Sequence, residues 1–140
     1  MGGSTGSESG SETSTGTPLL EGPAATEVDG HTIAFEAYGR GEPAIVFVHG
    51  GISTREVWQS ALASQRVHRR VVALDLPGHG ESDPPPAYER RVFERAVLGA
   101  MDAAGVQRAV LVGHSFGVGV ARDVALAAPE RTAGLLMLDG

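Results

Sequence analysis

The chain has no cysteine, so it can build neither a disulfide nor a thiolate metal site. Lysine and asparagine are also absent, and all 11 basic residues are arginine. This pattern reads as a coding bias toward GC-rich codons, not as chemistry. No apolar run approaches the about 18 residues of a membrane span. The first apolar cluster is only Leu19-Leu20, which does not make a signal peptide. The opening Met1-Gly2-Gly3-Ser4-Thr5-Gly6 has glycine where a myristoylation pattern wants serine or threonine. Clustered metal ligands and a phosphate-binding glycine loop are missing as well, so no cofactor and no metal is expected.

The net charge is −6. Glu8, Glu12, Glu21 and Glu27 supply much of it, in a stretch without arginine. The remaining body is close to neutral and has no electrostatic footprint for nucleic acid or an anionic membrane. Arg69-Arg70 and Arg90-Arg91 read as solvated helix ends and faces.

What is present sorts into a tail and one domain. Residues 1–24 are rich in Gly, Ser, Thr and Glu and cannot bury enough surface to offset their ordering entropy, so a disordered tail is expected. The tail is similar to the spacer behind the lipidated cysteine of bacterial lipoproteins, but that cysteine is missing. Localisation therefore stays open between cytoplasmic and exported. Residues 25–140 carry the folded pattern, with structure expected to begin near Glu27.

Thr26 to Tyr38 reads as an antiparallel pair turning at Asp29-Gly30. Ala44–Val48, Val71–Leu76, Ala109–Val112 and Leu135–Leu138 are short continuous apolar runs, as strands buried on both faces require. Helices are predicted over Glu56–Val67, Ala87–Ala104 and Phe116–Ala128. The first would place Val57, Trp58, Ala61, Leu62 and Gln65 along one side, and the second Val92, Phe93, Ala96, Val97 and Met101. Strands alternating with helices predict an α/β fold, a mostly parallel sheet with helices on both faces. Ligands of such sheets bind at the carboxyl ends of the strands.

Every unusual motif lies at such an end. His49-Gly50-Gly51 follows the first parallel strand, and Asp75-Leu76-Pro77-Gly78-His79-Gly80-Glu81-Ser82 follows the second. Gly113-His114-Ser115-Phe116-Gly117 follows the third, at a strand-to-helix junction. A serine with glycine two positions away on each side reads there as a nucleophile elbow. In this order and at these strand ends, the motifs resemble the α/β-hydrolase superfamily, in particular its esterase-, lipase- and perhydrolase-like serine hydrolases. The resemblance runs from about Thr26 to Gly140, the N-terminal part of such a domain. It implies an α/β-hydrolase core truncated after the strand that follows the nucleophile helix.

The resemblance also implies roles. Ser115 would be the nucleophile, and the backbone N–H groups of Gly51 and Phe116 would form the oxyanion hole. Asp75 would be structural. Asp139 is a candidate acid, with a polar strand-end residue as the competing reading. None of the five histidines is placed to act as the base: His114 should be packed and point away from Ser115, and His49 should organise the His-Gly-Gly loop. His79 should tie neighbouring loops together, while His31 and His68 read as solvated. In the family the base lies after the last strand.

Serine at the elbow argues against enzymes that attack through a carboxylate and for acyl transfer from a small-molecule, ester-like substrate to water. The competing reading is a catalytically inactive fragment or binding module. In either case the apolar strand Leu135–Leu138 would be an exposed sheet edge open to self-association.

Overall fold

The computed structural model describes residues 19–139. Antiparallel strands β1 (Gly22–Val28) and β2 (His31–Tyr38) form a hairpin turning at Asp29-Gly30, both at positive φ. β3 (Ala44–Val48) follows, then a 3₁₀ turn (Arg55–Trp58), α1 (Gln59–Gln65) and β4 (Val71–Leu74). α2 (Arg90–Ala103), β5 (Ala109–His114), α3 (Phe116–Ala127) and β6 (Thr132–Leu138) complete the order, with a short 3₁₀ turn (Pro129–Arg131) before the last strand.

The six strands make one sheet in the order β1-β2-β4-β3-β5-β6. The β4, β3, β5 and β6 neighbours run parallel, whereas β2 joins β4 antiparallel through the Phe35↔Leu74 to Tyr38↔Val71 register. Alternation of side chains along each strand divides the core between two faces. Val46 and Val48 of β3, Val72 and Leu74 of β4 and Leu111 of β5 pack against Phe93, Val97 and Met101 of α2 and Val120 and Val124 of α3. On the other face Phe47, Val71, Ala73 and Val112 meet Trp58 and Leu62. The sheet is mixed, with helices on both faces, as the sequence predicts.

Several boundaries differ from expectation. β1 starts at Gly22, before the predicted onset, because all of Gly22–Val28 pairs with β2. Of the predicted tail, residues 1–18 lie outside the described residues and Gly22–Ala24 belong to β1. The helix predicted from Glu56 opens as a 3₁₀ turn, capped by Thr54 Oγ1 accepting from the Glu56 N–H at 3.3 Å. That tighter turn carries Val57 out to solvent while Trp58 and Leu62 stay buried. The second helix begins at Arg90, after the extended Glu89.

Arg70 corrects the solvated reading of the Arg69-Arg70 pair. Its side chain is only 3% exposed, and its guanidinium donates to the Ala104 carbonyl at 3.0 and 3.3 Å and to the Gly39 carbonyl at 3.2 Å. It thereby ties the end of α2 to the loop before β3. These acceptors are tens of residues away in sequence and leave no local signal. Among the described residues, no helix is long and apolar enough to cross a membrane.

Candidate active site

β5 and α3 are joined by a single residue, Ser115. Its backbone sits at φ 54°, ψ −116°, in a region that L-residues rarely occupy. The conformation is possible because Gly113 and Gly117 let the strand and helix approach each other. A β-carbon on Gly113 would lie 2.5 Å from the Gly117 carbonyl oxygen. One on Gly117 would run into the Val48 and His49 carbonyls. The serine N–H donates to the Leu138 carbonyl at 3.0 Å, and its carbonyl accepts from the Val118 N–H at 2.9 Å. Ser115 is exposed at the carboxyl end of the sheet. Its hydroxyl makes no hydrogen bond with another described residue.

Phe116 opens α3, so its N–H is one of the helix's unsatisfied donors and lies at the positive end of the helix dipole. The Gly50-Gly51 loop runs directly past the elbow. A β-carbon on Gly50 would lie 3.4 Å from that of Ser115, and one on Gly51 would lie 3.6 Å from that of Phe116. Ser115, Phe116 and Gly51 are therefore brought together. Beside them opens a cleft of about 410 Å³, lined by Tyr88, Phe93, Phe116, Val120 and Arg122 among others. Phe93 and Phe116 meet edge to face there, with centroids 5.1 Å apart.

The histidines hold the loops around the elbow. His49 is fully buried; its Nδ1–H donates to the Gly50 carbonyl at 2.6 Å and its Nε2 accepts from the Leu76 N–H at 3.0 Å. Burial lowers its pKa below the ordinary histidine value, so the neutral ring is the native form. His79 Nε2 lies 2.5 Å from the Gly51 carbonyl. Both findings agree with the expected organising roles. His114 differs from expectation in being half-exposed rather than packed, with Nε2 3.6 Å from the Asp139 carboxylate. Asp139 is otherwise open to solvent and sits at φ 51°.

Asp75 is structural, and its partner is a residue that the sequence did not single out. The Asp75 side chain is 1% exposed. It accepts from the Arg55 N–H at 2.7 Å, from Arg55 Nη1 at 2.5 Å and from the Glu81 N–H at 3.0 Å. Arg55 also donates to Glu36 at 2.8 Å and to Glu81 at 3.0 Å. Glu36 further accepts from Gln59 Nε2 at 3.1 Å and from the Tyr38 hydroxyl at 2.8 Å. Burial opposes the charge on Arg55, but hydrogen bonds to Glu81 and Glu36 and the charge of Asp75 outweigh it, and its pKa is raised. Ser82 closes the loop by donating to the Asp75 carbonyl at 2.6 Å and accepting from the Ala34 N–H at 2.8 Å. The available signal was Glu36, an acidic residue within the buried run Ile33–Ala37.

Comparison with known proteins identifies the class. The alpha/beta hydrolase fold family matches residues 43–140, and the chain belongs to it. It is 37% identical over 129 residues to the dihydrolipoyllysine-residue acetyltransferase component of the acetoin cleaving system of Pseudomonas putida, covering 88% of this chain and 34% of that protein. It is 35% identical over 105 residues to the pimeloyl-[acyl-carrier protein] methyl ester esterase of Pectobacterium carotovorum subsp. carotovorum (strain PC1), covering 75% of this chain and 40% of that one. Among solved structures, Est816, described as an N-acyl homoserine lactone degrading enzyme, superposes with a TM-score of 0.78 at 33% identity. That match covers 81% of this chain and 44% of Est816. The chain thus spans between a third and a half of the length of these relatives.

Arg55→Met would leave Glu36 and Asp75 buried without their cation and should cost about 3–5 kcal/mol in urea unfolding, with Glu36→Gln recovering part of the loss. The lowered pKa of His49 means that the unfolded chain binds the proton more readily. Its contribution to stability is therefore complete above about pH 6.5 and is lost as pH falls toward the folded value. The urea midpoint should drop between about pH 7.5 and pH 5.5, and His49→Asn should flatten that drop.

Proposed function

We propose that the chain carries the nucleophile and oxyanion hole of a serine hydrolase that acts on an ester-like carbonyl of a small molecule. The observation that carries this reading is the strained, exposed Ser115 beside two backbone N–H groups, those of Phe116 and Gly51, with no acceptor of their own among the described residues. A hydroxyl attacking a carbonyl generates an oxyanion, and preorganised N–H donors stabilise it without reorganisation. Loss of one such donor typically costs about 3–4 kcal/mol of transition-state stabilisation. Serine at the elbow favours acyl chemistry over attack through a carboxylate. The esterase and lactone-degrading names among the relatives point the same way. The cleft beside Phe116, lined by the aromatic Tyr88, Phe93 and Phe116 and by the charged Arg90, Arg122 and Asp123, would receive one side of the substrate.

The proton acceptor is a residue outside these 140. His49 and His79 are engaged with loop carbonyls, and His114 is turned toward Asp139. Asp139 stands at the end of β6 as the candidate acid, exposed at the rim of the site. β6 is an edge strand whose Leu136, Met137 and Leu138 are exposed, and it would pair with further chain or with a second copy.

A fluorophosphonate probe read by mass spectrometry tests the assignment. Ser115 should be labelled in a protein extended beyond residue 140 and not in the 140-residue chain, and Ser115→Ala should abolish labelling. Equal labelling of the isolated chain would defeat the external base. Labelling that survives Ser115→Ala would defeat the nucleophile.

A further inference from the structure

His49 and His79 sit on different loops, yet their rings pack 5.1 Å apart and bridge the same two loops reciprocally. His49, behind β3, reaches the Leu76 N–H behind β4. His79, behind β4, reaches the Gly51 carbonyl behind β3. Their remaining contacts fall within their own loops: His49 with the Gly50 carbonyl at 2.6 Å and His79 with the Pro77 carbonyl at 3.0 Å. The two imidazoles thus take two consecutive carbonyls, those of Gly50 and Gly51.

That pairing fixes two peptide planes. In a trans peptide the carbonyl of one residue and the N–H of the next point in opposite directions. Holding the Gly50 carbonyl aims the Gly51 N–H away from His49, and holding the Gly51 carbonyl aims the Ile52 N–H away from His79. In a regular extended strand, consecutive carbonyls would face opposite sides. Here both are held by the imidazole pair, so the N–H of each following residue lies on the side of its peptide away from that pair. Among the described residues neither N–H meets an acceptor. Gly51 packs beside Phe116, whose own N–H meets no acceptor among the described residues.

We infer that His79 is a positioning residue for the oxyanion loop: its bond to the Gly51 carbonyl sets the 51–52 peptide plane and makes the Ile52 N–H a further donor beside those of Gly51 and Phe116. This rests on the serine-hydrolase reading for its consequence, not for its geometry. Gln at position 79 carries an amide nitrogen at about the reach of Nε2 and can keep the bond to Gly51. Asn carries one at the reach of Nδ1 and can serve only Pro77.

Nuclear magnetic resonance of the 140-residue chain tests the geometry without any turnover. In the unaltered protein the His79 Nε2 should be protonated in long-range ¹⁵N–¹H spectra; a bare Nε2 would overturn the inference even if a variant fails to fold. The Ile52 amide nitrogen, in the same peptide as the held carbonyl, should move upfield in His79→Asn and stay in place in His79→Gln. Unchanged Ile52 resonances in both variants would overturn it as well. In the extended protein, His79→Asn should slow fluorophosphonate labelling of Ser115 by about 10- to 100-fold, with His79→Gln restoring most of the rate. Equal rates in the two variants would also contradict it. Absence of labelling in every form would count against the hydrolase reading alone, since the Ile52 shift decides the clamp independently.

Discussion

Everything at the top of this sheet depends on one backbone constraint, the φ 54°, ψ −116° turn at Ser115. Such a conformation costs of order 1–3 kcal/mol and persists only where its surroundings over-determine it. Here they do so from three directions. β5 and α3 close on each other across Gly113 and Gly117. The Leu138 carbonyl at the end of β6 accepts from the Ser115 N–H. The Gly50-Gly51 loop packs against the turn from above. The carbonyls of Val48 and His49 approach Gly117 so closely that a side chain there would displace β3 itself.

The surrounding loops are held by charge and by imidazole as well as by the buried Leu76. Arg55 gathers Glu36, Asp75 and Glu81, joining a β2 side chain, the turn before α1 and the loop behind β4. A buried arrangement of this kind adds little net stability compared with an apolar core, but breaking it is costly. Its value here is geometric. It fixes the loop that carries His79, and His79 with His49 fixes the loop that passes the serine. A chain of contacts thus runs from the hairpin to the elbow without any helix at its centre.

Much of this was legible in the sequence because it is periodic or local. The continuous apolar runs Ala44–Val48 and Ala109–Val112 became central parallel strands, and Phe93, Ala96, Val97 and Met101 faced the sheet from one helix. The three motifs lay at the strand ends where the alternation placed them. What escaped was tertiary. Arg55 gives no local sign that it will meet carboxylates 19 and 26 positions away. Arg70 looked like a solvated basic residue because its acceptors are carbonyls of Gly39 and Ala104. Val57 fits a helical face by spacing, and only the tighter 3₁₀ turn turns it to solvent.

The proposed site stands or falls on where a tetrahedral adduct's oxygen goes. The direct measurement is a crystal structure of the extended protein after reaction with a phosphonate. Phosphorus is expected bonded to Ser115 Oγ, with one phosphonyl oxygen about 2.7–3.1 Å from the N–H groups of Gly51 and Phe116. An adduct on another residue, or one whose oxygens all face solvent away from those two donors, would contradict it.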